Sequence, residues 1–294
     1  MNGISRRACL QALFLLPLAA HAGLTRLDNR RIVAINWAAA ETLLSIGVTP
    51  LAISDSRYFR RRIPRPVLPE SVLDVGPFWE PNMEMLDALR PSLIISDVLP
   101  AATMAKMAQI APVETVSAYS TPGDLWEGLS DWTEKIAARL EAGPAAARWL
   151  RQSQAEMSGF RLRLTARPGL RVLVMVLDQD GKYATIYGNG SLADAVIRQL
   201  GLINAWQKPV NSIHVARVRI EELADLTCDW LFYTELPTTM TRLMRTRQSN
   251  GLWRHLPIVA EQQVTRLEHF FPFGSLATAL GLAGEITRIL EREN

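Results

Sequence analysis

Aromatic and charged side chains recur directly after predicted β-strands in this sequence. Such residues, taken singly, are more often core or ordinary surface than ligand contacts. Doubly wound sheets, however, bind ligands outside the carboxyl ends of their strands, so the shared placement predicts one common cleft. The predicted cleft residues are Trp37, Arg57, Tyr58, Arg60, Arg61, Arg62, Phe78, Trp79, Asp97, Tyr187, His214 and the run His269, Phe270, Phe271, Pro272 and Phe273.

Signatures of catalysis are scarce, and no enzyme is expected. The sequence has no Walker A loop, no H-E-x-x-H, no G-x-S-x-G and no paired CxxC. The loop Gly188-Asn189-Gly190-Ser191-Leu192-Ala193 has G-x-G-x-x-A spacing, so a nucleotide-using enzyme stays open as an alternative, although a simple strand-to-helix turn is favoured.

The histidines and cysteines do not form a recognisable metal motif. His214, His255 and His269 are not spaced as ligands on one helix, so only convergence from three loops would make a zinc or manganese carrier. No directly bound metal and no resident cofactor are expected. Cys228 is the single cysteine after the first 22 residues and is predicted to be a small buried hydrophobe.

Two runs of alternating strand and helix patterns predict an α/β protein with two lobes, each built on a mainly parallel central sheet. Between them, a helical pattern begins at Gly143-Pro144 and is ended by Arg167-Pro168-Gly169. The predicted organisation is a first lobe over 23–142, one long linker helix over 143–167 and a second lobe over 168–294. A peripheral helix of one large domain is the alternative.

The first 22 residues are typical of an export signal. Arg6 and Arg7 precede an apolar run, and Ala20-His21-Ala22 fits a small-x-small cleavage site, which predicts a twin-arginine-like signal peptide cleaved after Ala22 and a periplasmic protein. A retained N-terminal helix is the alternative. The net charge is +3 for the whole chain, without basic blocks, which gives no reason to expect nucleic acid.

Several short segments match one known family in their order and spacing. They are Arg31-Ile32-Val33-Ala34 with Trp37 and Glu41, Asp74-Val75-Gly76 with Glu80-Pro81-Asn82, Pro91-Ser92, Ile110-Ala111-Pro112, Ser191-Leu192, and Asn204-Ala205-Trp206-Gln207. In these segments the chain resembles the periplasmic ferrichrome-binding proteins of ferric hydroxamate uptake, within the wider class of iron-siderophore and cobalamin binding proteins. The resemblance implies a monomer that holds a ferric siderophore between two lobes joined by a rigid helix.

The departures from the family bear on the ligand. At the family positions of the arginine and tyrosine that hold hydroxamate oxygens, this chain has Phe78 and Pro100. Three pocket tryptophans correspond to Arg62, Ile213 and Phe271, whereas Trp37 and Asn211 are retained. Our hypothesis is that Arg57, Arg60, Arg61 and Arg62 bind a more anionic, carboxylate-bearing siderophore against the aromatic side chains. A solvated loop is the alternative for this arginine run.

The resemblance also implies delivery to the inner-membrane permease of an ABC importer, driven by a cytoplasmic ATPase. In the family, an acidic residue on each lobe meets arginines of the permease. Glu221 occupies the second-lobe position, whereas the first-lobe position is Ala105, so Glu80 or Glu84 is expected to substitute.

Overall fold

The computed structural model describes residues 31–116, 118–119, 123–178, 182–235, 256–261 and 263–292. The predicted signal peptide and His255 lie outside the described residues. Within them, two sheets flanked by helices form two lobes, as predicted.

The first lobe is built on a five-stranded sheet in which every pairing is parallel, in the order β3-β2-β1-β4-β5. Its central strands are apolar and buried, as strands covered on both faces must be. The strands are β1 Ile32–Ala34, β2 Ala52–Ile53, β3 Leu73–Asp74, β4 Leu93–Ser96 and β5 Val113–Thr115. The helices are α1 Trp37–Ser45, α2 Ser56–Arg62, α3 Met83–Leu89, α4 Ala101–Ile110 and α5 Leu125–Arg139.

The linker helix α6 spans Gly143–Arg163, with Pro144 in its first turn. Its 21 residues give a length of about 32 Å. It ends four residues before the predicted end at 167. Thr165 and Arg167 form i to i−3 bonds instead, and Pro168 disfavours helical geometry at the residue before it.

The second lobe has a mixed sheet in the order β11-β10-β6-β7-β9, with β8 paired to β6. Strands β6, β8, β10 and β11 are parallel, but β7 runs antiparallel to β6 and β9. The strands are β6 Arg171–Leu177, β7 Tyr183–Tyr187, β8 Ile203–Asn204, β9 Val215–Arg219, β10 Trp230–Glu235 and β11 Val264–Arg266. The helices are α7 Leu192–Gln199, a 3-10 turn Ile220–Leu223, α8 Pro257–Ala260 and α9 Leu276–Arg292.

The direction of β7 corrects one sequence-based expectation, which treated this strand as part of a parallel βα repeat. The connection over 178–182 is too short for a parallel crossover, which needs a dozen or more residues. The carboxyl ends of β6 and β7 therefore point in opposite directions in the sheet. As a result, Tyr187 and His214 do not follow the carboxyl end of a parallel strand.

Side chains from both lobes also meet directly, in addition to the connection through α6. Arg198 of α7 forms an ion pair with Asp124, the N-cap of α5, at 3.2 Å. Glu41 of α1 accepts hydrogen bonds from Ser275 and Thr278 at the start of α9. The C-terminal helix thus packs on α1 as well as on α6 and α7.

Candidate functional site

The order of the first sheet reverses between β1 and β4, which makes this point the natural place for a ligand crevice. Asn36 lies two residues after the end of β1 and caps α1, since its side-chain oxygen accepts from Ala39 N at 2.9 Å. Its Nδ2 donates to Oδ1 of Asp97, which directly follows β4, at 2.5 Å. Burial raises the pKa of Asp97, and the bond from Asn36 opposes this shift. Asn36 and Asp97 are therefore linked at the point where the order of the sheet reverses.

An aromatic wall, formed by Trp37, Tyr58, Phe271 and Phe273, extends across both lobes. The ring centroid of Trp37 lies 5.5 Å from that of Tyr58 and 4.8 Å from that of Phe271. The ring centroid of Phe271 lies 6.4 Å from that of Phe273. Trp37 is held in place because its indole N–H donates to Ser54 O at 2.9 Å. Tyr58 and Phe271 remain half-buried, so ring surface is left for a ligand.

Phe270 and Tyr187 form a second aromatic contact in the second lobe, with ring centroids 5.0 Å apart. Both are buried. Burial raises the pKa of Tyr187, while the positive charge of Arg62 opposes this shift. Arg62, at the end of α2, is thus close enough to Tyr187 of the other lobe for its charge to act on the phenol.

The arginines after β2 have different surroundings. Arg60 donates to Pro69 O at 2.8 Å and lies 3.6 Å from Glu70, so it holds the loop that follows α2. Arg57 and Arg61 are exposed, and Arg61 lies over the Tyr58 ring at 5.5 Å. Arg62 is half-buried, also lies near this ring at 5.9 Å, and forms no ion pair with any described residue.

A cavity of about 570 Å³ opens beside the aromatic wall. Its lining includes Arg62, His269 and Phe271, together with Trp149 and Phe160 of the linker helix. His269 is exposed.

Phe78 and Trp79 are exposed, by 45% and 60%, and stack edge-to-face on each other at 5.0 Å. Among the described residues, neither has a ring contact with the aromatic wall. Pro100 is the exposed N-cap of α4, and Ile213 is 54% exposed. The departures from the family pattern at Phe78, Pro100 and Ile213 are thus surface groups rather than core residues.

Asn211 and His214 shape the loop before β9. The side-chain oxygen of Asn211 accepts from the backbone N–H groups of Ile213 and Val215, both at 3.1 Å. His214 adopts a φ of 62° and its Nδ1 lies 3.0 Å from Asn189 O. The structure places both in loop contacts on the second lobe.

The glycine loop after β7 is filled by the protein itself. Asp194 accepts from Gly190 N at 3.1 Å, and the His214 ring lies against Gly190. At Gly188, a Cβ would lie 2.5 Å from Val210. These contacts occupy the space and an amide that a phosphate would need, which favours the structural turn over the nucleotide site.

The described residues contain no cluster of three or more His, Cys, Asp or Glu side chains able to hold a metal ion. Cys228 is half-buried, and burial raises the pKa of its thiol to about 12, as expected for an unreactive cysteine. Glu221, Glu80, Glu84 and Ala105 are all exposed. No helix of the described part is long and apolar enough to span a membrane.

Sequence reasoning did not assign a role to Asn36, Tyr119 or Glu41. Tyr119 packs against Phe273, with centroids 5.8 Å apart, and its hydroxyl donates to Gly274 O. An acidic residue in the apolar helix Trp37–Ser45 was the available signal for Glu41, but its partners lie more than 200 residues away in the sequence.

The model of the family described as periplasmic binding protein matches residues 32–269. The chain belongs to this family. The periplasmic binding protein is 30% identical over 287 residues to the iron(3+)-hydroxamate-binding protein FhuD of Escherichia coli, covering 94% of this chain and 93% of the relative. It is 23% identical over 238 residues to the Fe(3+)-citrate-binding protein YfmC of Bacillus subtilis, covering 80% of this chain and 72% of the relative.

Among solved structures, this periplasmic binding protein is similar to the Fe3+-Desferal-bound siderophore-binding protein FhuD of Vibrio cholerae. The TM-score is 0.81 at 23% sequence identity, covering 89% of this chain and 97% of the other. The likeness in fold extends over nearly the whole of both chains.

Proposed function

We propose that this protein captures a ferric siderophore between its two lobes and delivers it to the permease of an ABC importer. The observation that carries the proposal is the aromatic wall, in which Trp37 of the first lobe meets Phe271 of the second at 4.8 Å. A ligand held there contacts both lobes at once. Aromatic rings offer a large, rigid surface for the organic shell of a siderophore.

The proposed binding site consists of the aromatic wall together with Arg62, Asp97, Tyr187 and Phe270. Arg62 gives the clearest indication of ligand charge. It is a half-buried guanidinium beside the wall, without an ion pair among the described residues. A partly desolvated cation of this kind is favourable when a ligand anion pairs with it.

The proposed ligand is therefore an Fe(III)-siderophore with anionic oxygens near Arg62, of the carboxylate or mixed type. Similarity to both a hydroxamate-binding and a citrate-binding relative supports an iron complex as the ligand. Iron would be carried within the siderophore, with no metal ligand supplied by the protein.

Capture and release would occur in the periplasm without catalysis. The twin-arginine-like segment 1–22 supports export, with cleavage after Ala22. Glu221 on the second lobe and Glu80 on the first, with Glu84 as its alternative, are the proposed contacts to the permease, because all three are exposed carboxylates. The protein is proposed to act as a monomer.

Quenching of intrinsic tryptophan fluorescence tests this function. The panel consists of ferric trihydroxamates, citrate-based carboxylates and catecholates, with iron-free siderophores, cobalamin, haem and free zinc as controls. We expect saturable, submicromolar binding of one ferric siderophore class, with carboxylate-bearing complexes preferred. A folded protein that binds none of the ferric siderophores would refute the proposal.

A further inference from the structure

Glu41 is a carboxylate of the first lobe that caps a helix of the second. It lies in α1 and its side chain is fully buried. Its Oε2 accepts from the backbone N–H and the hydroxyl of Ser275, at 3.2 and 2.9 Å. It also accepts from the N–H and hydroxyl of Thr278, at 3.0 and 2.8 Å. All four donors belong to the start of α9, where unpaired backbone N–H groups attract an anion.

The segment held in this way carries the second-lobe half of the aromatic wall. Phe271 and Phe273 precede Ser275 by four and two residues. The hydroxyl of Tyr119, from the first lobe, donates to Gly274 O in the same segment. Displacement of Ser275 from Glu41 would therefore move Phe271 relative to Trp37.

The charge of this carboxylate is poorly compensated. Within the described part of the chain, its Oε1 has no hydrogen-bond partner and no ion pair involves Glu41. Burial raises its pKa to about 7, and the hydrogen bonds from Thr278 and Ser275 offset only part of this shift.

The described titratable groups near Glu41 supply no countercharge. Tyr119 is influenced by the charges of both Glu41 and Asp97, so this region of the lobe interface contains two carboxyl groups and a phenol. The α9 partners, Ser275 and Thr278, are neutral. His269 is exposed on the same second-lobe segment.

We infer that Glu41 is a positioning residue that holds the aromatic segment 271–275 against the first lobe, and that loss of its proton loosens this contact. As far as the ligand is concerned, the inference rests on the proposed function. The direction of the pH effect on this contact follows from proton linkage. The held state binds the proton more tightly than a state in which water reaches Glu41, so acid favours the held state. The contact is strongest below about pH 4.5, weakens as the pH rises towards 7, and is constant above that.

Hydrogen exchange of the full-length protein without ligand tests the inference directly. After correction for intrinsic exchange rates, we expect the opening constant of the Ser275 and Thr278 amides to rise about tenfold or more between pH 5.5 and 7.5. Glu41→Gln should remove this dependence while leaving the exposed His269 in place.

Thr278→Val provides a second variant in case Glu41→Gln does not fold. It removes one hydrogen bond that lowers the Glu41 pKa, so the pH of half-maximal opening should move upward. Thr287→Val is the matched control, because the Thr287 hydroxyl donates to Ala283 O within α9 itself. The inference is overturned if Glu41→Gln keeps the wild-type pH dependence, or if both valine variants shift it equally.

A second experiment links the contact to the ligand. The affinity of the wild type and of Glu41→Gln for the same ferric siderophore is measured at pH 5.5 and 7.5, so that pH effects on the siderophore itself cancel. We expect a pH-dependent ratio of the two affinities, whereas a constant ratio would overturn the link to the aromatic wall. If no siderophore binds, the proposed function fails, while hydrogen exchange still decides whether Glu41 holds the segment.

Discussion

Two arginines of the same short helix, Arg60 and Arg62, have different surroundings in this protein. Arg60 and Arg62 both follow β2, and the sequence predicts the same role for both. Arg60 is engaged with Pro69 and Glu70, whereas Arg62 lies at the lobe boundary and affects Tyr187 electrostatically. The sequence could not distinguish the roles of the two arginines, because the difference depends on how the loop after α2 folds back.

Replacement of these two arginines should therefore give different results. Arg62→Ala should weaken siderophore binding about tenfold or more, because a charge-assisted hydrogen bond contributes roughly 1.5–3 kcal/mol. Arg60→Ala is the matched control and should change affinity less than threefold, with a modest loss of stability. Fluorescence titration and thermal unfolding measure the two effects. Equal affinities of Arg62→Ala and the wild type would refute the role of Arg62.

At the scale of elements, sequence patterns predicted the alternation of strands and helices in both lobes and the long helix that begins at Gly143, because buried apolar runs and helix-start residues are local signals. Asn36, Asp124 and Ser191 cap α1, α5 and α7 with their side chains. Strand direction in the second sheet was missed at β7, since alternation of side chains is the same in both directions. The glycine loop after β7 was recognised as a turn, but the side chains that fill it come from distant segments.

Substitutions at two glycines, one in the loop after β7 and one in α9, should change the stability of the fold in opposite directions. Gly190→Ala should destabilise the fold by about 1–3 kcal/mol, because φ is +85° and the new Cβ would lie 2.4 Å from the His214 ring. Gly281→Ala, in α9, should stabilise it by about 0.5–1 kcal/mol, since nothing lies within 4 Å and alanine favours helix. Chemical denaturation measures both changes. A Gly190→Ala variant as stable as the wild type would contradict the filled loop.

At the scale of the whole molecule, the two-lobe architecture with a linking helix followed from the sequence, whereas the contacts between the lobes did not. Glu41 meets Ser275, and Asp124 meets Arg198, across long separations that no local pattern encodes. Together with α6, these contacts tie the lobes at several points. Such a molecule is suited to small adjustments around a ligand rather than to wide opening.

The ligand is expected to bind at the aromatic wall between the lobes. The most direct test compares siderophore affinity in Phe271→Ala and Phe160→Ala by fluorescence titration. Both residues border the same cavity, but Phe271 contacts Trp37 whereas Phe160 lies on the linker helix. We predict at least a tenfold loss for Phe271→Ala and less than a threefold change for Phe160→Ala, because an aromatic contact and its buried surface contribute roughly 1–3 kcal/mol. Wild-type affinity in Phe271→Ala, or a larger loss in Phe160→Ala, would contradict the claim and place the ligand elsewhere.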